Sequence, residues 1–334
     1  MDRPRVRDWG LKIGTAVPGQ LNAITDVVGV RVGHTTLISG EGPLQPRHGP
    51  VRTGVTVILP HGDDLFRHKV PAAVHTINGY GKVCGFEQVR ELGLLEAPIA
   101  LTNTLNVGLV ADALIQHAIA RNPQIGVSTS SVNVVVGETN DGYLNDLQGR
   151  HVRAEHVWAA IETASPDILP EGTVGGGTGT SCFGWKGGIG TASRMIPGDA
   201  GPVTVGALVQ TNFGRPEQLV ISGVPVGSHL RPPGAGQREH ADDGSVMIVL
   251  ATDAPLTSRQ LRRLCVRAAA GLARTGSVYD HGSGDFVIAF STAYRVEHQP
   301  EAIITTRPVL VDEARLMHGL FSAVVECVEE AVLN

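Results

Sequence analysis

Ala241-Asp242-Asp243-Gly244-Ser245-Val246-Met247-Ile248-Val249-Leu250 is the stretch from which the rest of the chain is read. A polar run ends in glycine, and a serine then opens an uninterrupted apolar segment, so Ser245 marks the passage from loop to buried strand. Taken alone, Asp-Asp-Gly-Ser before a strand is a turn, because Asp and Gly tolerate the angles a turn requires. The other reading is a backbone cut between Gly244 and Ser245, which leaves Ser245 as a new N-terminus that carries chemistry. The remaining sequence decides between them.

Downstream, Ser245–Ala251 reads as a buried strand. Leu261, Leu264, Cys265, Ala268, Ala269 and Leu272 fall at helical spacing with Gly276 just past the end. Asp285–Thr292 is another strand, and a C-terminal helix places Leu316, Leu320, Ala323, Val324, Cys327 and Ala331 on one face. Upstream, Val224–Gly244 carries Pro225, Pro232 and Pro233 and has no apolar period, so it reads as an exposed connector and the best internal boundary. Further back, Asn22–His34 reads as strand, turn, strand, and Gly54–Pro60 as a strand. Ala72–Glu91 reads as loop with short elements. Leu109–Arg121 and Arg153–Thr163 read as helices, Ser131–Gly137 as a strand ending in the polar loop Glu138–Tyr143, and Pro202–Gln210 and Gln218–Ser222 as strands. Strands flanked by helices without strict βαβ alternation predict a mixed α+β layered sandwich, not a doubly wound parallel sheet, formed by residues 1–334 as one domain. No internal repeat is visible.

Glycine occupies 42 of 334 positions, spread among apolar runs, which points to tight turns and close backbone approach. A net charge of −5 without a basic stripe offers no nucleic-acid footprint. The polar start Met1–Asp8 has no apolar signal region behind it, and no apolar run reaches membrane-spanning length. Cys84, Cys182, Cys265 and Cys327 are far apart and read as reduced thiols of a cytoplasmic protein.

Chemistry is narrowed by what is missing. Gly175–Gly188 tempts a phosphate-loop reading, but Trp185 separates Gly184 from Lys186 and the Gly-Lys-Ser/Thr ending is absent. Close packing around a site and simple turns both remain open there. His61, His68, His75, His151 and His156 lack metal-ligand spacing, so no metal and no cofactor are expected. No Gly-x-Ser-x-Gly elbow surrounds the serines at strand ends. A serine without a histidine needs another base. An N-terminal α-amine, with an ordinary pKa of about 7.7–8.0, can serve, whereas an amide nitrogen cannot because its lone pair is delocalised. A Ser245 freed from Gly244 meets that need.

Several separated segments then resemble one family. They are Ile24–Val27 with Gly29-Val30 and Val32–His34, Thr102–Thr104, Gly137–Tyr143, Val174–Gly179 with Lys186–Thr191, Gln210–Gly214, Asp243–Ser245 and Gly282–Asp285. Together they resemble the β-aminopeptidase / L-aminopeptidase–D-esterase family of self-processing hydrolases with an N-terminal serine nucleophile. The resemblance implies an Ntn-hydrolase-like architecture, a layered αββα sandwich of two central mixed sheets covered by helices, cleaved into an α chain (1–244) and a β chain (245–334) that stay together. It further implies assembly into a homo-oligomer, a tetramer of αβ units.

By position, Ser245 is similar to the nucleophile, with its own amine as base. Ser283 and Asp285 are similar to the pair that orients it; some members carry Glu at the latter position, and Asp is one methylene shorter. Asn212 resembles the oxyanion-hole donor, helped by a backbone N–H in or near the glycine stretch. Tyr143 resembles a polar contact to the reacting group, and Glu138 the anchor for the substrate's amino group. The implied activity releases N-terminal residues from short peptides, amides or esters through an acyl-enzyme on Ser245. An acyltransferase on the same scaffold and an uncleaved small-anion binding protein are the alternatives.

Overall fold

The computed structural model describes residues 4–199, 201–233 and 244–334. The strands are β1 (Arg31–Ser39), β2 (Val51–Leu59), β3 (His68–Gly79), β4 (Leu94–Leu95), β5 (Ile99–Asn103), β6 (Val135–Thr139), β7 (Ser181–Cys182), β8 (Trp185–Lys186), β9 (Ile189–Ile196), β10 (Val203–Asn212), β11 (Ser245–Thr252), β12 (Gly284–Ser291) and β13 (Val296–Glu297). The α-helices are α1 (Phe86–Leu92), α2 (Val107–Arg121), α3 (Ala154–Glu162), α4 (Ser258–Arg274) and α5 (Glu313–Leu333).

One sheet has four strands in the order β1-β2-β5-β6, and the other has seven, β13-β3-β12-β11-β10-β9 with β4 on β3. Both are mixed: β5–β6 and β11–β12 run parallel and their neighbours antiparallel. The alternation of β11 sets the layers. Val246, Ile248 and Leu250 join a core with Leu261 and Leu264 of α4 and Leu320 and Val324 of α5. Met247, Val249 and Ala251 join a second core with Ile58, Leu101 and Val135 of the smaller sheet. A third core seats α2 and α3 on that sheet's outer face. This is the expected αββα sandwich. No helix among the described residues is long and apolar enough to cross a membrane.

Local chemistry accounts for the elements. Thr257 and Gln260 form a reciprocal capping box at the start of α4, and Gly276 follows its end at φ +101°. Three expectations are corrected. Ala72–Glu91 is the long strand β3 followed by α1, because β3 finds ladder partners on both sides in β12 and β4. Asn22–Val28 is no strand: the Asp26 carboxylate accepts from Leu21 and Ala23 N–H and closes a 3-10 turn at Ile24–Asp26. Gln218–Ser222 is no strand either. Its backbone bonds go to Thr275, Val224 and Gly227 in a turn-rich segment. Residues 234–243 of the connector, including Asp242 and Asp243, and Met1–Arg3 lie outside the described residues. The strands flanking that connector, β10 and β11, are hydrogen-bonded neighbours in one sheet.

The C-terminal helix is tied down by charge. Glu326, Glu330 and Asn334, spaced at i, i+4 and i+8, line one stripe of its last turns. The fully buried Arg194 donates to Glu326 at 2.8 Å and Glu330 at 2.6 Å. Arg7 adds a bond to Glu330 at 2.6 Å, and Asn334 accepts from Val6 N–H at 3.1 Å. Burial opposes ionisation of Glu330, but Arg7, Arg194 and Asn22 outweigh it and lower its pKa. Its stabilising contribution is therefore present above its ordinary value and lost as pH falls through the depressed one. Arg194→Met should cost about 3–5 kcal/mol, because two buried carboxylates lose their shared partner. A lower urea midpoint at unchanged slope is the expected reading.

Candidate active site

Strand register assembles the site. Asn212 ends β10 directly opposite Ser245, which opens β11, and Ser245 is opposite Gly284, which opens β12. Ser245 shares the face of Met247 and Val249, so its hydroxyl enters the layer between the sheets. There Oγ, on a residue only 3% exposed, accepts from Asn140 N–H at 2.9 Å and from Asn212 Nδ2 at 3.0 Å. The amide orientation of Asn212 is fixed because its Oδ1 accepts from Ser181 N–H at 3.1 Å. Both of these bonds are accepted by Oγ, so neither uses the hydroxyl proton of Ser245.

Asn140 belongs to the loop that follows β6 in the other sheet. Its Oδ1 accepts from Gly142 N–H at 3.0 Å, closing an Asx turn. The next residue, Asp141, is buried and accepts from Asn145 Nδ2 at 3.0 Å. Burial pushes the Asp141 carboxyl up to about 7, against bonds from Thr53 and Asn145.

On the other side of the junction, the Gly244 carbonyl accepts from Gly284 N–H at 3.0 Å. A Cβ at position 244 would stand 2.7 Å from Ser283 Oγ, so a larger residue there would have to displace that hydroxyl. Ser283 Oγ donates to Asp285 Oδ1 at 2.6 Å, while Asp285 Oδ2 is buried without a hydrogen-bond partner. Burial pushes Asp285 up to about 6; the Ser283 bond opposes this and the Asp280 charge adds to it.

Glu138, one residue before the end of β6, is buried. Its Oε1 accepts from Lys82 N–H at 2.9 Å, and Oε2 has no partner at hydrogen-bond geometry. Burial raises its pKa, against the Lys82 N–H and charge and the neighbouring Thr104 hydroxyl. Tyr143 stands farther along the same loop, 66% exposed. Among the described residues no group of three or more His, Cys, Asp or Glu side chains could hold a metal ion.

Residues 22–334 match the model of peptidase family S58. The chain belongs to that family. A peptidase S58 chain is a serine aminopeptidase of the Ntn hydrolase fold, here in a variant with mixed sheets and five helices. It is similar to the β-peptidyl aminopeptidase BapA of Sphingosinicella microcystinivorans, at 43% identity over 99% of this chain and 85% of that protein. Among solved structures it is similar to the PH0078 protein of Pyrococcus horikoshii OT3, at TM-score 0.93 and 49% identity, over 99% of this chain and 90% of the other. It is also similar to the L-aminopeptidase D-Ala-esterase/amidase of Ochrobactrum anthropi, at TM-score 0.89 and 39% identity with the same coverages. That protein is described as a prototype for the serine aminopeptidases and a new variant of the Ntn hydrolase fold.

The structure of this peptidase S58 chain brings Ser245 and Asn212 into contact, pairs Ser283 with Asp285, and sets Ser283 against Gly244. On Ser245 Oγ itself the backbone donor beside Asn212 is the N–H of Asn140. The glycine stretch packs closely: a Cβ on Gly176 would lie 2.2 Å from Gln210 Oε1. The pattern Asn140-Asp141-Gly142 signals the Asx turn, but nothing in it signals the backbone contact with Ser245. Removing one donor with Asn212→Ala should lower kcat by about 10²–10³ with KM little changed, measured by steady-state hydrolysis of an amino-acid p-nitroanilide.

Proposed function

We propose that this chain cleaves itself between Gly244 and Ser245 and then releases N-terminal residues from short peptides, amides or esters through an acyl-enzyme on Ser245. The observation that carries the reading is Ser245 Oγ, held by two donors beside a scissile carbonyl that already accepts from Gly284 N–H. In the first step Oγ attacks the Gly244 carbonyl carbon, its proton passes toward the Ser283–Asp285 pair, and the C–N bond breaks with protonation of the Ser245 nitrogen. Water then hydrolyses the ester. Gly244 becomes a carboxylate and Ser245 acquires a free amine.

In turnover that amine takes the Oγ proton as Oγ attacks the substrate carbonyl. Asn140 N–H and Asn212 Nδ2 pass from Oγ to the developing oxyanion. Asp285 and Ser283 orient the amine, Tyr143 reaches the substrate's reacting group, and the unpartnered Oε2 of Glu138 receives the substrate ammonium. The names of the relatives, a β-peptidyl aminopeptidase and an L-aminopeptidase D-Ala-esterase/amidase, support β-amino-acid peptides, L-amides and D-esters as the substrate range. The α and β chains stay together and assemble as a homo-oligomer.

Ser245→Ala should remain one band on denaturing electrophoresis and be inactive; an active Ser245→Ala protein would sink the mechanism. N-acetylated substrates should be refused, and Glu138→Gln should raise KM for free-amine substrates at least tenfold. Self-cleavage precedes the free amine, so its acid limb belongs to Asp285. Below about pH 6 that carboxyl is protonated and cannot accept a proton. Precursor refolded from denaturant should therefore process more slowly with each unit below about 6, and Asp285→Asn should erase that limb.

A further inference from the structure

The two donors on Ser245 Oγ come from different sheets, Asn212 from the seven-stranded one and Asn140 from the loop leaving the four-stranded one. The layer between those sheets is otherwise largely apolar, with Leu101, Val135, Leu208, Met247 and Phe286 among its residues. Apolar contact is non-directional and permits small slides of one sheet over the other. A device that fixes their offset at this end must be directional.

We infer that Gln210 is a positioning residue, whose carboxamide sets the separation of the Asn140 and Asn212 donors. Gln210 lies on β10 two residues before Asn212, on the same face of the sheet, and is fully buried. Its Nε2 donates to Thr139 Oγ1 at 2.7 Å and to the Thr102 carbonyl at 3.1 Å. Thr139 ends β6 and directly precedes Asn140, and Thr102 lies on the parallel neighbour β5. One side chain thus ties the strand carrying the first donor to the residue preceding the second.

Gly176 clears the space for this amide, since a Cβ there would lie 2.2 Å from Gln210 Oε1. That oxygen has no hydrogen-bond partner. A methionine of similar length would fill the layer without an unmet acceptor, so what the amide adds is direction.

This inference rests on the reading of Ser245 as nucleophile, and the test separates the two. Gln210→Met, Thr139→Val and Thr139→Ser, each isolated in processed form, would be compared with processed wild type and with the uncleaved Ser245→Ala chain by steady-state kinetics and by thermal melting. Displacing a donor by a fraction of an ångström should lower kcat roughly 10- to 100-fold in Gln210→Met and Thr139→Val, with KM within about twofold. Thr139→Ser, which keeps the hydroxyl, should recover most of the loss, and melting should not follow the kinetic ranking. Wild-type kcat in Gln210→Met, or losses that track melting with no recovery in Thr139→Ser, would overturn the assignment. An active Ser245→Ala would instead overturn the underlying mechanism.

Discussion

The hydroxyl of Ser245 is held from two directions at once, by a side-chain amide of its own sheet and a backbone N–H of the facing one. Everything around it serves that coincidence. The sheets must stack at a fixed offset, β11 must begin at Ser245 and not one residue later, and the loop after β6 must turn sharply at Asn140. A slip of one residue in β11 would send Ser245 to the helix-facing side, because side chains alternate across a strand. The register Asn212–Ser245–Gly284 is therefore a condition for the proposed chemistry as well as for folding.

Burial gives the same atoms their chemical character. Asp285 and Glu138 each keep one carboxylate oxygen away from water with no hydrogen-bond partner, and burial raises both pKa values. Such groups favour a proton or a cation. Asp285 lies two residues from Ser283, whose hydroxyl approaches Gly244; Glu138 lies two residues from the Asn140 donor. Each sheet thus carries one unmet acid near the Gly244–Ser245 junction, and the proposed mechanism uses the first for proton traffic and the second for a substrate amine.

Elements with strong patterning were legible in the sequence. The apolar run of β11 and the helical stripes of α4 and α5 are set by burial on known faces, and their layering followed. β3 was hidden because its half-buried His75, Thr76 and Asn78 and the glycines after it imitate a loop, while its ladder partners are distant in sequence. Ile24–Asp26 was hidden by a carboxylate that captures its own backbone. At the site, side chains with reactive groups could be matched to a family pattern. Asn140 could not, since it acts through a backbone N–H, and Gln210 could not, since its role exists only across the sheet interface.

The most direct measurement is the mass and N-terminal sequence of the chain that becomes acylated when the purified protein meets a slowly turned-over ester. The account predicts a fragment beginning at Ser245 and ending at Asn334, with the acyl group on the Ser245 hydroxyl. An uncleaved 334-residue chain that turns over substrate, or an acyl group on any other residue, would contradict it.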